Sequence, residues 1–171
     1  MFKLDLKGKA LLYISSIILL SVIILWFFLE AVAGRIAFQN GDYTITFLNV
    51  TFGTTLRISG VATVTRDVFA FSFWNFAAFL LISLGFLGTL FASFYAGKKA
   101  SFIPVLSALI TIVGGILVFF TINFIVFEGV AINPDNFSDL HLGIGVYVVA
   151  IASILAGGLT LADHYLINKK K

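Results

Sequence analysis

Four long stretches of this sequence contain no Asp, Glu, Lys or Arg, and they limit the possible folds more than any other feature. They cover residues 10–29, 68–97, 100–127 and 140–162. Each holds at least the roughly 20 residues that an α-helix needs to cross a bilayer. Composition agrees, because 60% of the 171 residues are hydrophobic and 11% are charged, against roughly 25% charged in soluble domains. The sequence predicts an all-α integral membrane protein built as a four-transmembrane-helix bundle.

The positions of the lysines predict the orientation of these helices. All eight lysines flank the apolar stretches, in three clusters: Lys3, Lys7 and Lys9; Lys98 and Lys99; and Lys169, Lys170 and Lys171. Basic residues beside spans mark the cytoplasmic side, and four spans place all three clusters on one side. We therefore predict a multi-pass protein of the cell membrane with cytoplasmic N- and C-termini. The formal charge of +3 then reflects topology, and no nucleic acid partner is predicted.

The predicted spans cover about residues 10–33, 71–97, 101–127 and 140–166 of a single membrane domain. Aromatic residues near the end of the first span and the start of the second, among them Trp26 and Trp74, resemble an interfacial belt. The first apolar stretch is longer than the 7–15 residues of a signal-peptide core, so we expect it to be retained as a span.

Residues 34–70 show the alternation of strands rather than of a helix. Asn40-Gly41 is a strong hairpin signal, and it predicts pairing of 36–39 with 42–47. The alternation slips at Phe47 and Leu48, which predicts a β-bulge, and further strands are predicted at 54–59 and 61–68. The insert should form a small external antiparallel β-sheet, a three- or four-stranded meander between the first two helices. Its apolar face can rest on helix ends, lipid headgroups or another protein.

A strand-rich segment between the first two of four helices resembles the claudin-like tetraspans in topology. The Gly-Leu-Trp and paired-cysteine signature of that family is absent from residues 34–70, so no junction or pore function is carried over. The candidate interaction surface of the insert consists of Tyr43, Ile45, Phe47, Arg57 and Arg66.

Four polar residues lie near the apolar stretches and are candidate membrane sites: Glu30, Asn75, Asn123 and Glu128. An ionisable group at membrane depth is a functional candidate by default. We interpret the two glutamates as interfacial anchors, and the two asparagines as interhelical hydrogen-bonding residues inside the spans. Asp163 and His164 are interpreted as an interface feature at the end of the last span.

The chain contains no cysteine, which excludes thiolate catalysis, disulfides and cysteine-bound zinc. His141 and His164 are predicted on opposite sides, which excludes a two-histidine metal site within one subunit. A converging set of acid, base or metal-binding residues is missing, so no catalytic, cofactor or metal site is predicted.

These observations predict a non-enzymatic four-pass protein that acts as an interaction or accessory subunit through its external sheet. Its partners would be the lipid bilayer and either another membrane protein or further copies of itself. The alternative is a small oligomeric transporter or channel subunit for an uncharged or lipid-like substrate.

Overall fold

The computed structural model describes residues 9–35, 42–58, 64–94, 102–127 and 140–169, with the backbone alone at 35, 42–43, 54–58, 64–68 and 167–169. The elements in chain order are α1 (Ala10–Trp26), β1 (Glu30–Arg35), β2 (Asp42–Thr46), α2 (Phe47–Phe52), β3 (Thr54–Ile58), β4 (Val64–Phe69), α3 (Phe73–Phe94), α4 (Phe102–Val118), a 3₁₀ helix (Ile122–Phe124), β5 (His141–Leu142) and α5 (Ile144–Lys169). The protein is mostly helical with a small antiparallel sheet, as the sequence predicts.

Four long helices pack side by side, with α4 between α3 and α5, and α1 against α3 and α5. Two of their segments, Phe73–Phe94 and Ile144–Leu166, are long and apolar enough to cross a membrane. The apolar helices α1 and α4 have 17 residues each, about 26 Å of helix at 1.5 Å per residue.

Glycines set the close approach of α4 to its neighbours. A Cβ added at Gly115 would lie 3.0 Å from the Cβ of Ser153 and 3.1 Å from the Ala150 carbonyl oxygen. A Cβ added at Gly157 would lie 3.0 Å from the Ala108 carbonyl oxygen. The two contacts pair Gly115 with the start of α5 and Gly157 with the start of α4, so these helices are antiparallel and nearly in backbone contact.

Two helices end earlier than predicted. The first predicted span extends to residue 33, but α1 ends at Trp26, and Glu30–Arg35 forms β1. The third extends to 127, but α4 ends at Val118 and is followed by a turn and the 3₁₀ helix. Hydropathy could not locate either end, because a short apolar run has the same composition in a buried strand as in a helix.

The predicted meander is wrong in its connectivity. One sheet has the strand order β2-β1-β5 and the other contains β3 and β4. Val32 of β1 pairs with Ile45 of β2 on one side and with Leu142 of β5 on the other. The central strand therefore comes from the predicted first helix, and a third strand comes from the segment just before α5. Residues 36–41, including the Asn40-Gly41 signal, lie outside the described residues.

A short helix replaces the predicted bulge. Thr46 ends β2 and caps α2, where its hydroxyl accepts a 3.5 Å hydrogen bond from the Asn49 amide. The buried residues of α2 are Phe47, Val50 and Thr51, at the i, i+3, i+4 spacing of one helical face. Gly53 ends α2 at φ 90°, a conformation that favours glycine. The phase slip in the sequence is thus the change from strand to helix.

We call the end of the bundle that carries these strands and α2 the capped end, and the end that carries Lys9 the lysine end. The apolar core lies between the helices and continues into the cap. Its most buried members include Leu19, Trp26, Val32, Phe47, Ile82, Val118, Val146 and Val149.

Candidate functional site

The predicted interaction residues Ile45 and Phe47 are buried, with 3% and 0% of their surfaces exposed. Phe47 stacks on Trp26 at the end of α1, with ring centroids 4.5 Å apart and planes at 28°. Phe79 of α3 lies against the same indole at 5.3 Å. The sequence allows the apolar face of the insert to rest on helix ends, lipid headgroups or another protein. Phe47 rests on the end of α1, because it stacks on Trp26.

The remaining predicted interaction residues are described through their backbone. Tyr43 pairs with Gly34, Arg57 with Thr65, and Arg66 with Leu56. β2 lies at the edge of its sheet, and the side chain of Thr44 on this strand is exposed. The candidate interaction residues therefore lie on the edge strand β2, or in its junction with α2, and in the β3–β4 hairpin.

Hydrogen bonds fasten the cap to the ends of α3 and α4. The Ser72 amide donates to the Thr51 carbonyl of α2 at 2.9 Å, and the Ser72 hydroxyl donates to the Phe124 carbonyl at 2.6 Å. The same hydroxyl accepts a hydrogen bond from the backbone amide of Asn75 at 3.3 Å. Because Ser72 is 1% exposed, this junction is buried as well as bonded.

The four predicted polar membrane sites lie in different environments. Asn75 is 2% exposed, and its side chain donates a long 3.5 Å hydrogen bond to the Thr121 carbonyl, which joins α3 to the turn after α4. Asn123 lies beyond the end of α4, in the 3₁₀ helix, and its side chain is exposed. Glu30 is half-buried in β1, and Glu128 lies outside the described residues. Of the three that the structure describes, Asn75 is the buried one.

At the opposite end of the bundle, Lys9 links α1 to α3. Its ammonium donates to the carbonyl oxygens of Ala92 and Ser93 at 2.9 and 3.0 Å. The Tyr13 hydroxyl is 3.4 Å from the same Ser93 oxygen. A cation at the last carbonyls of a helix neutralises the negative end of the helix dipole, so Lys9 stabilises the end of α3.

The half of the bundle nearer the lysine end contains many buried hydroxyl groups. These belong to Ser15, Ser16, Thr89, Ser93, Ser107, Thr111 and Thr160. Several bond to their own helix, as Ser107 does to the Ile103 carbonyl at 2.8 Å. The Ser15 hydroxyl bonds across to α5 instead, at 2.7 Å from the Ala156 carbonyl and 2.8 Å from the Thr160 hydroxyl.

Asp163 lies one helical turn beyond Thr160 and is 5% exposed. Its Oδ2 atom has no hydrogen-bond partner within the described parts of the chain. His164, the next residue, is half-buried. Sequence reasoning interpreted this pair as an interface feature. The signal that could have identified Asp163 as buried is its three-residue spacing from Thr160, which places the two on one helical face.

In the ranges that the structure describes, no group of three or more His, Asp or Glu side chains is arranged to hold a metal ion. No protein-family model matches the sequence, and no curated protein is significantly similar to it. The candidate sites are therefore the exposed edge of the cap and the buried polar cluster at the lysine end.

Proposed function

We propose that this chain is a four-pass membrane protein that acts without catalysis, as an interaction or accessory subunit, through the exposed edge of its cap. Helix direction supports the four spans. α3 and α5 both run from the capped end to the lysine end, and α4 runs back between them. If α3 and α5 cross a membrane, the chain between them must cross in the opposite direction. α4 is the helix in that position.

The distribution of polarity supports a lipid environment for all four helices. Hydroxyl and amide side chains are buried between the helices, while large apolar side chains face outward on each of them. Examples of the outward-facing residues are Ile17 at 66% exposure, Leu84 at 54%, Leu109 at 51% and Leu155 at 60%. In a bilayer, apolar surface can face lipid, and polar groups bond between helices. In water this arrangement would leave these large apolar side chains solvated.

Exposed aromatic rings occur near both ends of the bundle. Those at the capped end include Phe28, Phe52, Phe71, Phe73, Trp74 and Phe120, and those at the lysine end include Phe91, Phe94, Phe102 and Tyr165. Aromatic belts at both membrane surfaces are typical of spanning proteins. With lysines marking the cytoplasmic side, the cap would face outward from the cell membrane.

The observation that carries the interaction role is the edge position of β2. An edge strand presents unpaired backbone groups that can pair with a strand of another chain. The inward faces of β2 and α2 are occupied by Ile45, Phe47 and Val50, so a partner would meet the edge and the hairpin rather than the apolar face. That partner is another membrane protein or a second copy of this chain.

The test alters the edge strand β2 and the β3–β4 hairpin and leaves the apolar core of the bundle unchanged. Thr44→Lys places a charge on an exposed edge position, which discourages strand pairing, and Thr44→Ser is the matched control. A second variant has a shorter hairpin. In it, residues 57–65 are replaced by an Asn-Gly turn that joins Leu56 directly to Arg66. After solubilisation in mild detergent, the wild type and Thr44→Ser should each elute as one assembly, and the two assemblies should have the same size. Thr44→Lys and the short-hairpin variant should both elute at a smaller size than the wild type, with unchanged helix content. Retention of the full assembly by Thr44→Lys and by the short hairpin would contradict the proposal.

A second candidate is an oligomeric transporter or channel subunit for an uncharged or lipid-like substrate. The hydroxyls buried near the lysine end favour it, because they offer hydrogen bonds inside an apolar bundle. In liposomes, a chain of this class would transfer an uncharged solute or lipid, and an accessory subunit alone would leave that transfer at the rate of empty vesicles.

A further inference from the structure

Asp163 is an acidic side chain turned toward the inside of the helix bundle. Its position follows from α5, where Thr160 lies one turn earlier and contacts Ser15 of α1 at 2.8 Å. Residues three apart on a helix share a face, so the carboxyl group points toward α1. Its 5% exposure agrees with that direction.

The carboxyl group is buried with a vacant hydrogen-bonding position. Oδ2 has no partner among the described residues, although an ionised carboxylate has acceptor sites on both oxygens. Burying an ionised carboxylate whose oxygens are not fully bonded is so costly that such groups commonly become neutral instead. A carboxyl group within a membrane-spanning helix is a functional candidate for the same reason.

Among the residues that the structure describes, the ionisable groups near Asp163 lie at the start of α1 and in α5. Lys9, just before α1, and His164 of α5 act on it electrostatically and favour its ionised form, and Tyr13 lies one turn after Lys9 along α1. The other two long helices, α3 over Phe73–Phe94 and α4 over Phe102–Val118, contain no ionisable side chain. The ammonium of Lys9 disfavours a metal cation beside this carboxyl group. The same charge also disfavours protonation, but burial away from water acts against the ionised carboxylate and is the larger effect.

We propose that Asp163 is a proton-binding site of the bundle, with its carboxyl group protonated in the folded protein and exchanging its proton through the lysine end. The step is the reversible transfer of one proton between water and the carboxylate oxygen, so it needs no other reactant. This role is independent of the interaction proposed for the cap, since the two sites lie at opposite ends of the helices.

The first test is chemical. A hydrophobic carbodiimide modifies protonated carboxyl groups in apolar surroundings, and the full chain in liposomes can be mapped by mass spectrometry after treatment. We expect modification of Asp163 several-fold above that of the half-buried Glu30 at the other end of the bundle. Modification should decrease as the pH is raised, because an ionised carboxylate does not react, and it should be lost in Asp163→Asn. An unmodified Asp163 across the neutral pH range would overturn the proposal.

The second test separates a protonated carboxyl group from an ionised partner of Lys9. Asparagine has nearly the same shape as a protonated aspartic acid, so Asp163→Asn should keep the wild-type melting temperature in detergent. Asp163→Ala should lower that temperature by leaving a cavity. If Asp163→Asn lowers it as much as Asp163→Ala does, the wild-type carboxyl group is ionised and the proposal is wrong. The carbodiimide test needs no variant, so it still decides if these variants fail to fold.

Discussion

Gly157 and Gly158 are adjacent in α5, but the spaces beside them differ completely. A Cβ at Gly157 would meet Cγ1 of Ile112 at 2.6 Å, whereas a Cβ at Gly158 would have nothing within 4 Å. We predict that Gly157→Ala forces α4 and α5 apart and lowers the stability of the bundle by about 1–3 kcal/mol, the usual range for overpacking.

Gly158→Ala is the matched control, since it adds the same methyl group one residue away. Alanine favours a helix over glycine by roughly 1 kcal/mol, so this variant should be as stable as the wild type or more stable. Thermal unfolding in detergent measures both. Equal melting temperatures for the two variants would mean that α4 and α5 are not in close contact at Gly157.

For single residues, the sequence indicates which side chains are polar, but it does not locate all of them correctly in the structure. Asn75 is buried and bonded between elements, as its residue type and apolar surroundings indicate. Asn123 has the same residue type and equally apolar neighbours, yet it is exposed, because α4 ends at Val118. The final turn tightens as the Phe119, Phe120 and Thr121 amides bond three residues back at 3.0–3.1 Å. Hydropathy does not change where the helix tightens, so it cannot indicate this helix end.

The short helix α2 is the element that seals the capped end, through the stacking of Phe47 on Trp26. We predict that Phe47→Ala destabilises the protein by about 3–5 kcal/mol, as expected for removal of a buried phenyl ring. Phe52 is on the same helix but 47% exposed, and its ring meets Phe76 edge-to-face at 5.7 Å, so Phe52→Ala should cost only about 0.5–1.5 kcal/mol in detergent.

Fluorescence gives a second readout of this element. Trp26 is 1% exposed, and loss of the stacked ring should open its indole to water-soluble quenchers. Trp74, which is 54% exposed, emits in the same spectrum, so the comparison is made in a Trp74→Phe background. If Phe47→Ala and Phe52→Ala give the same quenching and stability, α2 does not close the bundle.

The four helices were predictable because long charge-free runs are specific to apolar helices, and their number follows directly. The cap was predictable only in part. Alternation located β2, β3 and β4, but pairing between distant segments placed β5 beside β1, and local pattern does not report such pairing. The N-cap at Thr46 and the spacing of Phe47, Val50 and Thr51 were readable signals of α2, and the expectation of a bulge obscured them.

In the molecule as a whole, the cap extends the protein beyond the ends of the two shorter helices, α1 and α4. α1 and α4 each extend about 26 Å, less than the roughly 30 Å of a hydrocarbon core. Beyond them the chain continues as β1 and the 3₁₀ helix, and Ala31 and Val32 of β1 are 0% exposed. Non-helical backbone is tolerated at membrane depth where protein covers it. In the four-span bundle that we propose, this arrangement would allow the two short helices to cross the membrane.

The four-span topology that we propose makes a prediction for the whole chain that single cysteines can test. The sequence contains no cysteine, so each substitution introduces the only thiol. We compare Lys3→Cys, Asp42→Cys, Lys98→Cys and Asp135→Cys, which precede or follow α1, α3 and α4 in turn. A membrane-impermeant maleimide is applied to intact cells and then to opened membranes.

Positions 42 and 135 should react in intact cells, and positions 3 and 98 only after the membrane is opened. The alternation arises because each pair of neighbouring positions is separated by one helix that crosses. Labelling of positions 3 and 42 from the same side would mean that α1 does not span, and labelling of 98 and 135 from the same side would mean the same for α4. Lys171→Cys, beyond α5, should match Lys98→Cys, since four crossings return the chain to the lysine side.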